Sequence, residues 1–244
     1  MSTIDTLVEQ NMAQLKDNVY PGRGIILGMT PDGQNLVQVY WIMGRSTNSR
    51  NRIFVTENGF VKTQAFDQNK VEDPSLIIYY PARDYHNCHI ISNGDQTDTI
   101  FTALQNGGSF ESALQTRTFE PDAPNFTPRI SGIIDLNSSR FAYQLAIIKP
   151  VAGNSEFCTH QFFNYQKALP GMGHCLHTYT GDGTPLPSFT GEPYLVQLPE
   201  GIEAIAAFYW QLLNKENKIS LLVKLINLQT KQVQLRILNK QLGD

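Results

Sequence analysis

The 244-residue sequence has only three cysteines, no long hydrophobic run and no excess of basic residues. Cys88, Cys158 and Cys175 lie far apart and form no Cys-x-x-Cys pair, which disfavours a disulfide framework and a cysteine-based zinc site. The longest apolar runs, such as residues 202–213, are interrupted well before the ~20 residues that a membrane span needs. The first residues also lack the continuous apolar core of a signal peptide. We therefore predict a cytoplasmic protein that does not enter membranes.

Positive charge is concentrated locally, because the whole chain has a net charge of -3. This balance disfavours a general nucleic-acid-binding protein. Arg45, Arg50 and Arg52 lie within residues 44–52, a segment without any acidic residue. Guanidinium groups bind phosphate or carboxylate through paired hydrogen bonds, and Ser46 and its neighbours add further donors. We predict a loop that binds a small phosphorylated molecule; the alternative is a solvated loop whose arginines pair with carboxylates elsewhere.

Hydrophobic periodicity predicts one domain of the α+β class over residues 1–244, with an additional N-terminal helix over residues 1–18. A proline-rich segment at residues 118–129 is predicted to be stiff, and residues 170–193 are predicted to be one long loop. Further helices are predicted near 97–106, 109–116 and 200–213. Predicted strands cover residues 24–28, 36–43, 53–55, 60–66, 76–80, 88–91, 130–136, 141–148, 156–163, 219–228 and 232–238.

Two carboxylates, Glu120 and Asp122, lie on the stiff segment 118–129. A stiff carboxylate suits a general base, because misplacement by about an ångström is costly in rate. The alternative is that these carboxylates pair structurally with the arginine segment. The pairs His86-x-x-His89 and His174-x-x-His177 lack the glutamate of a zincin, so we predict no metal.

Four motifs occur in one order, at residues 20–24, 44–52, 92–100 and 120–130. Together they resemble the archaeal-type inosine monophosphate (IMP) cyclohydrolase family, including its bacterial cyclohydrolase-like members, from about Tyr20 to the C-terminus. The resemblance implies a four-layer αββα sandwich similar to the N-terminal nucleophile hydrolase fold. It also implies the last step of purine biosynthesis, closure of formamido-imidazole-carboxamide ribotide to IMP with loss of water. That reaction requires neither a metal nor a cofactor.

The same resemblance, with the chemistry of the residues, implies a pocket for a small purine ribonucleotide. The arginine segment would surround the phosphate or the reacting oxygens, Glu120 or Asp122 would be the general base, and Lys149 would stabilise an oxyanion. The expected catalytic residues are Arg45, Tyr79, Glu120, Asp122 and Lys149, and the expected substrate-binding residues are Arg23, Ser46, Arg50, Arg52, Arg83, Asn93, Asp95, Asn125 and Arg129.

Two other functions stay open at this point. An amide hydrolase or amidotransferase-like enzyme on the same scaffold would need a nucleophile, yet Tyr20 stands where that nucleophile would be expected. A purine-nucleotide binding protein without turnover would keep the arginine segment but not the acids, so the presence of Glu120 and Asp122 favours an enzyme. The sequence does not determine whether the chain forms a homo-oligomer.

Overall fold

The computed structural model describes residues 3–71 and 78–243, which form an α+β structure with two antiparallel sheets. No helix within these two ranges is long and apolar enough to span a membrane. The helices are α1 (Thr3–Asp17), α2 (Thr47–Arg50), α3 (Gln96–Gln105), α4 (Phe110–Leu114) and α5 (Ile202–Leu212). The strands are β1 (Gly24–Met29), β2 (Asn35–Met43), β3 (Arg52–Glu57), β4 (Phe60–Ala65), β5 (Ala82–Tyr85), β6 (Cys88–Ser92), β7 (Arg129–Asp135), β8 (Tyr143–Val151), β9 (Asn154–Tyr165), β10 (Met172–His177), β11 (Tyr194–Gln197), β12 (Lys218–Asn227) and β13 (Val233–Asn239).

The first sheet has the strand order β11-β10-β1-β2-β12-β13. Its two faces are both apolar, as the near-continuous hydrophobic run of β2 requires. Val39 and Trp41 pack with α5, whereas Tyr40 and Ile42 point to the other face, because successive side chains of a strand alternate. The helices α1 and α5 cover the outer face of this sheet.

The second sheet runs β3-β4-β5-β6-β7-β8-β9, so that neighbours in the sheet are neighbours in sequence. Ile130 and Ile134 face the first sheet, and Ile133 faces α3 and α4. The helix α4 begins where Ser109 and Ser112 cap each other's backbone N–H, as the sequence predicts. One apolar cluster therefore lies between the sheets, and one lies under each set of helices.

Most of the predicted elements are confirmed, and three predictions need correction. The segment 44–52 is not a loop throughout, because it contains α2. The predicted loop 170–193 contains β10, a strand paired with β1 in the interior of the first sheet. An added Cβ at Gly173 would lie 2.6 Å from Ile26 Cγ2, so close packing requires a glycine at this position. That glycine interrupts the alternation of apolar side chains by which a strand is predicted from sequence. Of the predicted strand 76–80, residues 76–77 lie outside the described residues, and 78–80 are irregular.

One end of the two sheets collects the loops that carry the four motifs. Gly24 at the start of β1 pairs with Trp41 near the end of β2 and with His177 at the end of β10. In the second sheet, Arg129 at the start of β7 pairs with Ile148 near the end of β8. In an antiparallel pair one strand begins at the end of the sheet where its neighbour finishes, so the connecting loops converge at that end.

Candidate active site

The arginine segment is organised by its own side chains. Ser46 Oγ accepts a hydrogen bond from the N–H of Ser49 at 3.1 Å, and Ser49 Oγ accepts one from the N–H of Ser46 at 3.1 Å. Arg50 donates from Nε to the carbonyl of Gly44 at 2.9 Å and from Nη2 to Asn217 Oδ1 at 3.1 Å. The structure thus places Ser46 and Arg50 in contacts that hold α2 in position.

Arg45 lies at the exposed rim of this end of the molecule. It forms an ion pair with Asp182 and donates a hydrogen bond to the carbonyl of Gly183 at 3.0 Å. Its guanidinium carbon lies 5.1 Å from the centre of the Tyr20 ring. Arg45 therefore links the arginine segment to Asp182 and Gly183, which follow β10 in the chain.

Two arginines lie at the same end, Arg52 fully buried and Arg23 half-buried. Arg52 donates from Nε to the carbonyl of Ser49 at 2.8 Å and from Nη2 to that of Met43 at 3.4 Å. Within the described part of the chain, Arg52 Nη1 and Arg23 Nε have no hydrogen-bond partner. Burial and the nearby positive charge of Arg23 lower the pKa of Arg52. Unpaired buried donors are costly, so this pair points to a site for an anionic or carbonyl oxygen.

Glu120 is the acidic group of this buried region, with only 2% of its surface exposed. Burial raises the pKa of Glu120 to about 7, although the positive charges of Arg23 and Arg129 act in the opposite direction. Near neutral pH the carboxyl group is therefore divided between its two protonation states. A group with that property can both take up and release a proton.

Asp122, two residues further on, has a different environment. Its carboxylate accepts hydrogen bonds from the backbone N–H of Thr127 at 2.6 Å and from the Thr127 hydroxyl. That hydroxyl also lies 2.5 Å from the hydroxyl of Tyr179, which stacks on Tyr20. Asp122 thereby fixes the loop that carries Glu120 against the loop after β10.

Tyr79 contributes a buried hydroxyl that lies 2.7 Å from the hydroxyl of Tyr40. Burial raises the pKa of both phenols, although the positive charges of Arg23 and Arg52 act to lower it. Tyr40 is not among the site residues expected from the sequence. The sequence signal that could have identified it is its place near the end of the strand that precedes the arginine segment, on the inward face of β2.

Arg129 reaches the same region from the start of β7. It donates from Nη1 to Asp95 Oδ1 at 2.7 Å and to Gln96 Oε1 at 2.8 Å. Burial acts to raise the pKa of Asp95, but the hydrogen bond from Arg117 and the charge of Arg129 outweigh it and lower the pKa. Asn93 accepts a hydrogen bond from the N–H of Ile130 at 2.8 Å. Asn93 and Asp95 thus position Arg129 beside Glu120.

Gly94 lies so close to this group that an added side chain would displace it. An added Cβ would be 2.7 Å from Gln96 Oε1, 2.8 Å from Arg129 Nη1 and 3.3 Å from Glu120 Oε1. We expect Gly94→Ala to lower the free energy of unfolding by about 1–3 kcal/mol, as overpacking does. Urea denaturation measures this change.

The matched control for that substitution is Gly181→Ala, because a Cβ added at Gly181 meets no atom within 4 Å. We expect the control to unfold at nearly the wild-type urea concentration. An equal loss of stability in both variants would contradict the steric explanation.

Three of the expected residues lie neither in this group nor at its rim. Arg83 points to the helix layer, where it pairs with Asp98 and lies 3.7 Å from the centre of the Phe101 ring. Asn125 and Lys149 line a cavity of about 610 Å³. The structure therefore brings together Arg23, Arg52, Tyr79, Glu120, Asp122, Asn93, Asp95 and Arg129, whereas Arg45, Ser46 and Arg50 lie at the rim.

Residues 20–231 match the family described as IMP cyclohydrolase-like protein, which is most of the chain. The chain belongs to this family. The resemblance found in the sequence is thereby confirmed. The IMP cyclohydrolase-like chain is also 31% identical over 175 residues to an IMP cyclohydrolase of Methanopyrus kandleri, covering 70% of this chain and 79% of the relative. The helix α1 lies ahead of the matched residues.

Proposed function

We propose that this family member is an IMP cyclohydrolase of purine biosynthesis, which closes formamido-imidazole-carboxamide ribotide to IMP with loss of water. The observation that supports it most is the buried carboxyl of Glu120, whose pKa is about 7, beside donors of Arg23 and Arg52 that have no hydrogen-bond partner among the described residues. Ring closure needs a proton acceptor and an oxygen-binding group at one place. This region supplies both.

The reaction forms one bond and breaks another. The carboxamide nitrogen attacks the formyl carbon, so a C–N bond forms and the formyl oxygen becomes the hydroxyl of a tetrahedral intermediate. The nitrogen loses a proton in this step. The C–O bond then breaks and the hydroxyl leaves with a proton as water, while the former formamide nitrogen loses its proton and a C=N double bond forms.

Glu120 is proposed as the group that moves this proton. In its ionised form it removes the proton from the carboxamide nitrogen, and in its protonated form it gives that proton to the former formyl oxygen. In the second step the same carboxyl group takes the proton of the former formamide nitrogen and gives it to the leaving hydroxyl. A pKa near the working pH makes both steps favourable for one carboxyl group. Asp122 is proposed to hold the loop, since its oxygens already accept two hydrogen bonds from Thr127.

Arg23, Arg52 and Tyr79 are proposed to stabilise the oxygen on which charge develops. Arg23 Nε and Arg52 Nη1 are buried donors without a protein partner in the described residues, so they are available to a substrate oxygen. Donors that are already oriented in a buried site stabilise developing charge at little reorganisation cost. Removal of one such donor in other enzymes costs about 10²–10³ in kcat.

We also propose that the two sheets with their outer helices form the four-layer αββα sandwich similar to the N-terminal nucleophile hydrolase fold. The helices on the outer faces support this proposal. Tyr20 is buried and stacks on Tyr179, at the position where a hydrolase of that class would need its nucleophile. This arrangement favours ring closure over amide hydrolysis.

The direct test is incubation of the purified protein with the formylated ribotide, with IMP formation followed by its absorbance. We expect IMP to form at a rate proportional to protein concentration and above the rate without protein. The matching binding measurement is calorimetry with IMP. Binding of IMP without formation of product would overturn the catalytic proposal and leave a nucleotide-binding protein.

A further inference from the structure

The helix α1 lies ahead of the residues that match the family, yet it is packed into the fold. Val8 and Leu15 on its inner face are buried. Between them, Asn11 donates from Nδ2 to the carbonyl of Leu195 in β11 at 2.9 Å. The helix therefore rests on the edge strand of the first sheet, and its last turn has a defined position.

Asn18 follows the last turn of α1 and uses both ends of its side-chain amide. Its backbone N–H continues the helical pattern by donating to the carbonyl of Gln14 at 3.1 Å. Its Nδ2 donates to the carbonyl of Thr180 at 3.1 Å and to that of Tyr179 at 3.4 Å, and its Oδ1 accepts the N–H of Tyr20 at 3.0 Å. Asn18 therefore ties the end of α1 both to the first motif and to the segment after β10.

The two segments joined in this way hold the backbone of Arg23. Arg23 donates its N–H to Thr178 Oγ1 at 3.1 Å, and its carbonyl accepts the N–H of Thr178 at 2.9 Å. The carbonyl of Pro21 accepts the N–H of Tyr179 at 3.2 Å. Gly22 between them has a φ of 75°, and an added Cβ would lie 2.2 Å from Thr178 Oγ1. Because the contact is so close, a shift of the segment after β10 would carry Arg23 with it.

The segment after β10 also reaches the loop that carries Glu120. The hydroxyls of Tyr179 and Thr127 lie 2.5 Å apart, and the carbonyl of Thr127 accepts the N–H of Glu120 at 2.9 Å. Tyr20 stacks on Tyr179 with ring centres 5.9 Å apart. A continuous set of contacts thus leads from the end of α1 to both sides of the candidate site, Arg23 and Glu120.

Asn217 holds the neighbouring residue, Val19, from the other side. Its Nδ2 donates to the carbonyl of Val19 at 3.1 Å, and its Oδ1 accepts a hydrogen bond from Arg50 Nη2 at 3.1 Å. Its own carbonyl accepts the N–H of Gly44 at 2.9 Å. The junction after α1 is thus fastened to the arginine segment as well, which leaves Asn18 little freedom to move.

We propose that Asn18 is a positioning residue for ring closure, because it anchors the segment after β10 to α1 and so keeps Arg23 and Glu120 in place. The inference rests on the proposed function. The side chain of Asn18 bonds backbone groups of residues 20, 179 and 180, so it acts on the reaction through the residues that it holds. Since the family match begins at residue 20, this anchor is an addition to the matched residues.

Steady-state kinetics with the formylated ribotide tests the inference on the wild type and Asn18→Ala. We expect kcat to fall about 10-fold, since misplacement of a catalytic group by about 1 Å can cost ~10²-fold. The midpoint of the kcat/KM profile should also move to higher pH, because Arg23 would lower the pKa of Glu120 less from a greater distance. A general loss of stability would not move this midpoint. A midpoint that stays near pH 7 would therefore overturn the inference.

Hydrogen exchange followed by mass spectrometry gives a readout that does not require turnover. In Asn18→Ala, amides of residues 120–127 and 177–180 should exchange about 10-fold faster, on the scale of one lost hydrogen bond. Gln10→Ala is the matched control, because Gln10 is an exposed amide on the same helix. We expect wild-type exchange and kinetics in the control. Equal effects in Gln10→Ala and Asn18→Ala would contradict a specific role of Asn18.

A second variant, Asn18→Asp, keeps the test valid if Asn18→Ala does not fold. Its carboxylate still accepts the N–H of Tyr20 but cannot donate to the carbonyls of residues 179 and 180, so the same changes are expected. If exchange of residues 120–127 depends on Asn18 while the wild type forms no IMP, the positioning stands and the catalytic proposal fails. If IMP is formed while Asn18→Ala keeps the wild-type midpoint and exchange, the reverse holds.

Discussion

Glu120→Gln is expected to lower kcat for ring closure by about 10²- to 10⁴-fold, the scale of a lost general acid–base group. The substitution keeps the size of the side chain and removes its ability to exchange a proton. Binding of IMP should be largely retained, because the amide keeps the size of the carboxyl group and its ability to form hydrogen bonds. Steady-state kinetics with the formylated ribotide measures kcat, and calorimetry with IMP measures binding.

The wild-type pH profile gives an independent check of this role. Since Glu120 acts first as a base, kcat/KM should rise with pH through a midpoint near 7, where its pKa lies. The rise should be absent in Glu120→Gln. Glu156→Gln is the matched control, because Glu156 is an exposed carboxylate on β9. Wild-type turnover in Glu120→Gln would remove Glu120 from the mechanism.

Stability separates a catalytic defect from a folding defect in the same variant. The pKa of Glu120 is raised in the native state, so its contribution to stability is fully present below its ordinary pKa near 4.5 and is lost as pH rises through about 7. Relative to the wild type, Glu120→Gln should therefore gain on the order of 2–3 kcal/mol of unfolding free energy between pH 5 and pH 8. Urea denaturation at the two pH values measures the difference. A variant that is inactive and less stable at pH 8 would indicate misfolding.

Arg23→Gln is expected to weaken IMP binding by about 10- to 100-fold and to move the midpoint of the kcat/KM profile to higher pH. The first effect follows from the loss of a buried donor, Arg23 Nε, which has no partner in the described part of the chain and can bind a substrate oxygen. The second follows because the charge of Arg23 is the largest factor that lowers the pKa of Glu120 against burial. Without that charge the carboxyl group holds its proton more tightly, so less base is present at pH 7.

Arg140→Gln is the control for this substitution. Arg140 is exposed and stacks on Phe141, with its guanidinium carbon 5.1 Å from the ring centre. We expect an unchanged pH profile and unchanged IMP affinity in this variant. A midpoint that stays near pH 7 in Arg23→Gln would show that the two groups are not electrostatically coupled.

Secondary structure was predictable wherever one hydrophobic period was uninterrupted. The N-terminal helix is found at Thr3–Asp17 and the first hairpin at Gly24–Met29 and Asn35–Met43. The strand β10 was missed because Gly173 and two histidines interrupt the alternation. Its assignment depends on pairing with β1, a segment about 150 residues away, and no local pattern reports such pairing.

The sequence likewise indicated which segments meet at the candidate site, but not which of their side chains lie inside it. Arginines 45, 50 and 52 are equivalent as letters, yet the structure exposes the first two and buries Arg52 completely. Arg52 occupies the first position of β3, where it enters the space between the sheets. Tyr40 was overlooked because an aromatic residue in a hydrophobic strand is most often an ordinary core residue.

Motif order, local charge and hydrophobic period were sufficient for the family and for the α+β class, since each is a property of neighbouring residues. The assignment of Glu120 over Asp122 as the proton-transferring group needed the folded chain. A pKa depends on burial and on charges brought from distant segments. The charge of Arg23 comes from the residue before β1 and that of Arg129 from the start of β7, while Asp122 accepts hydrogen bonds from Thr127.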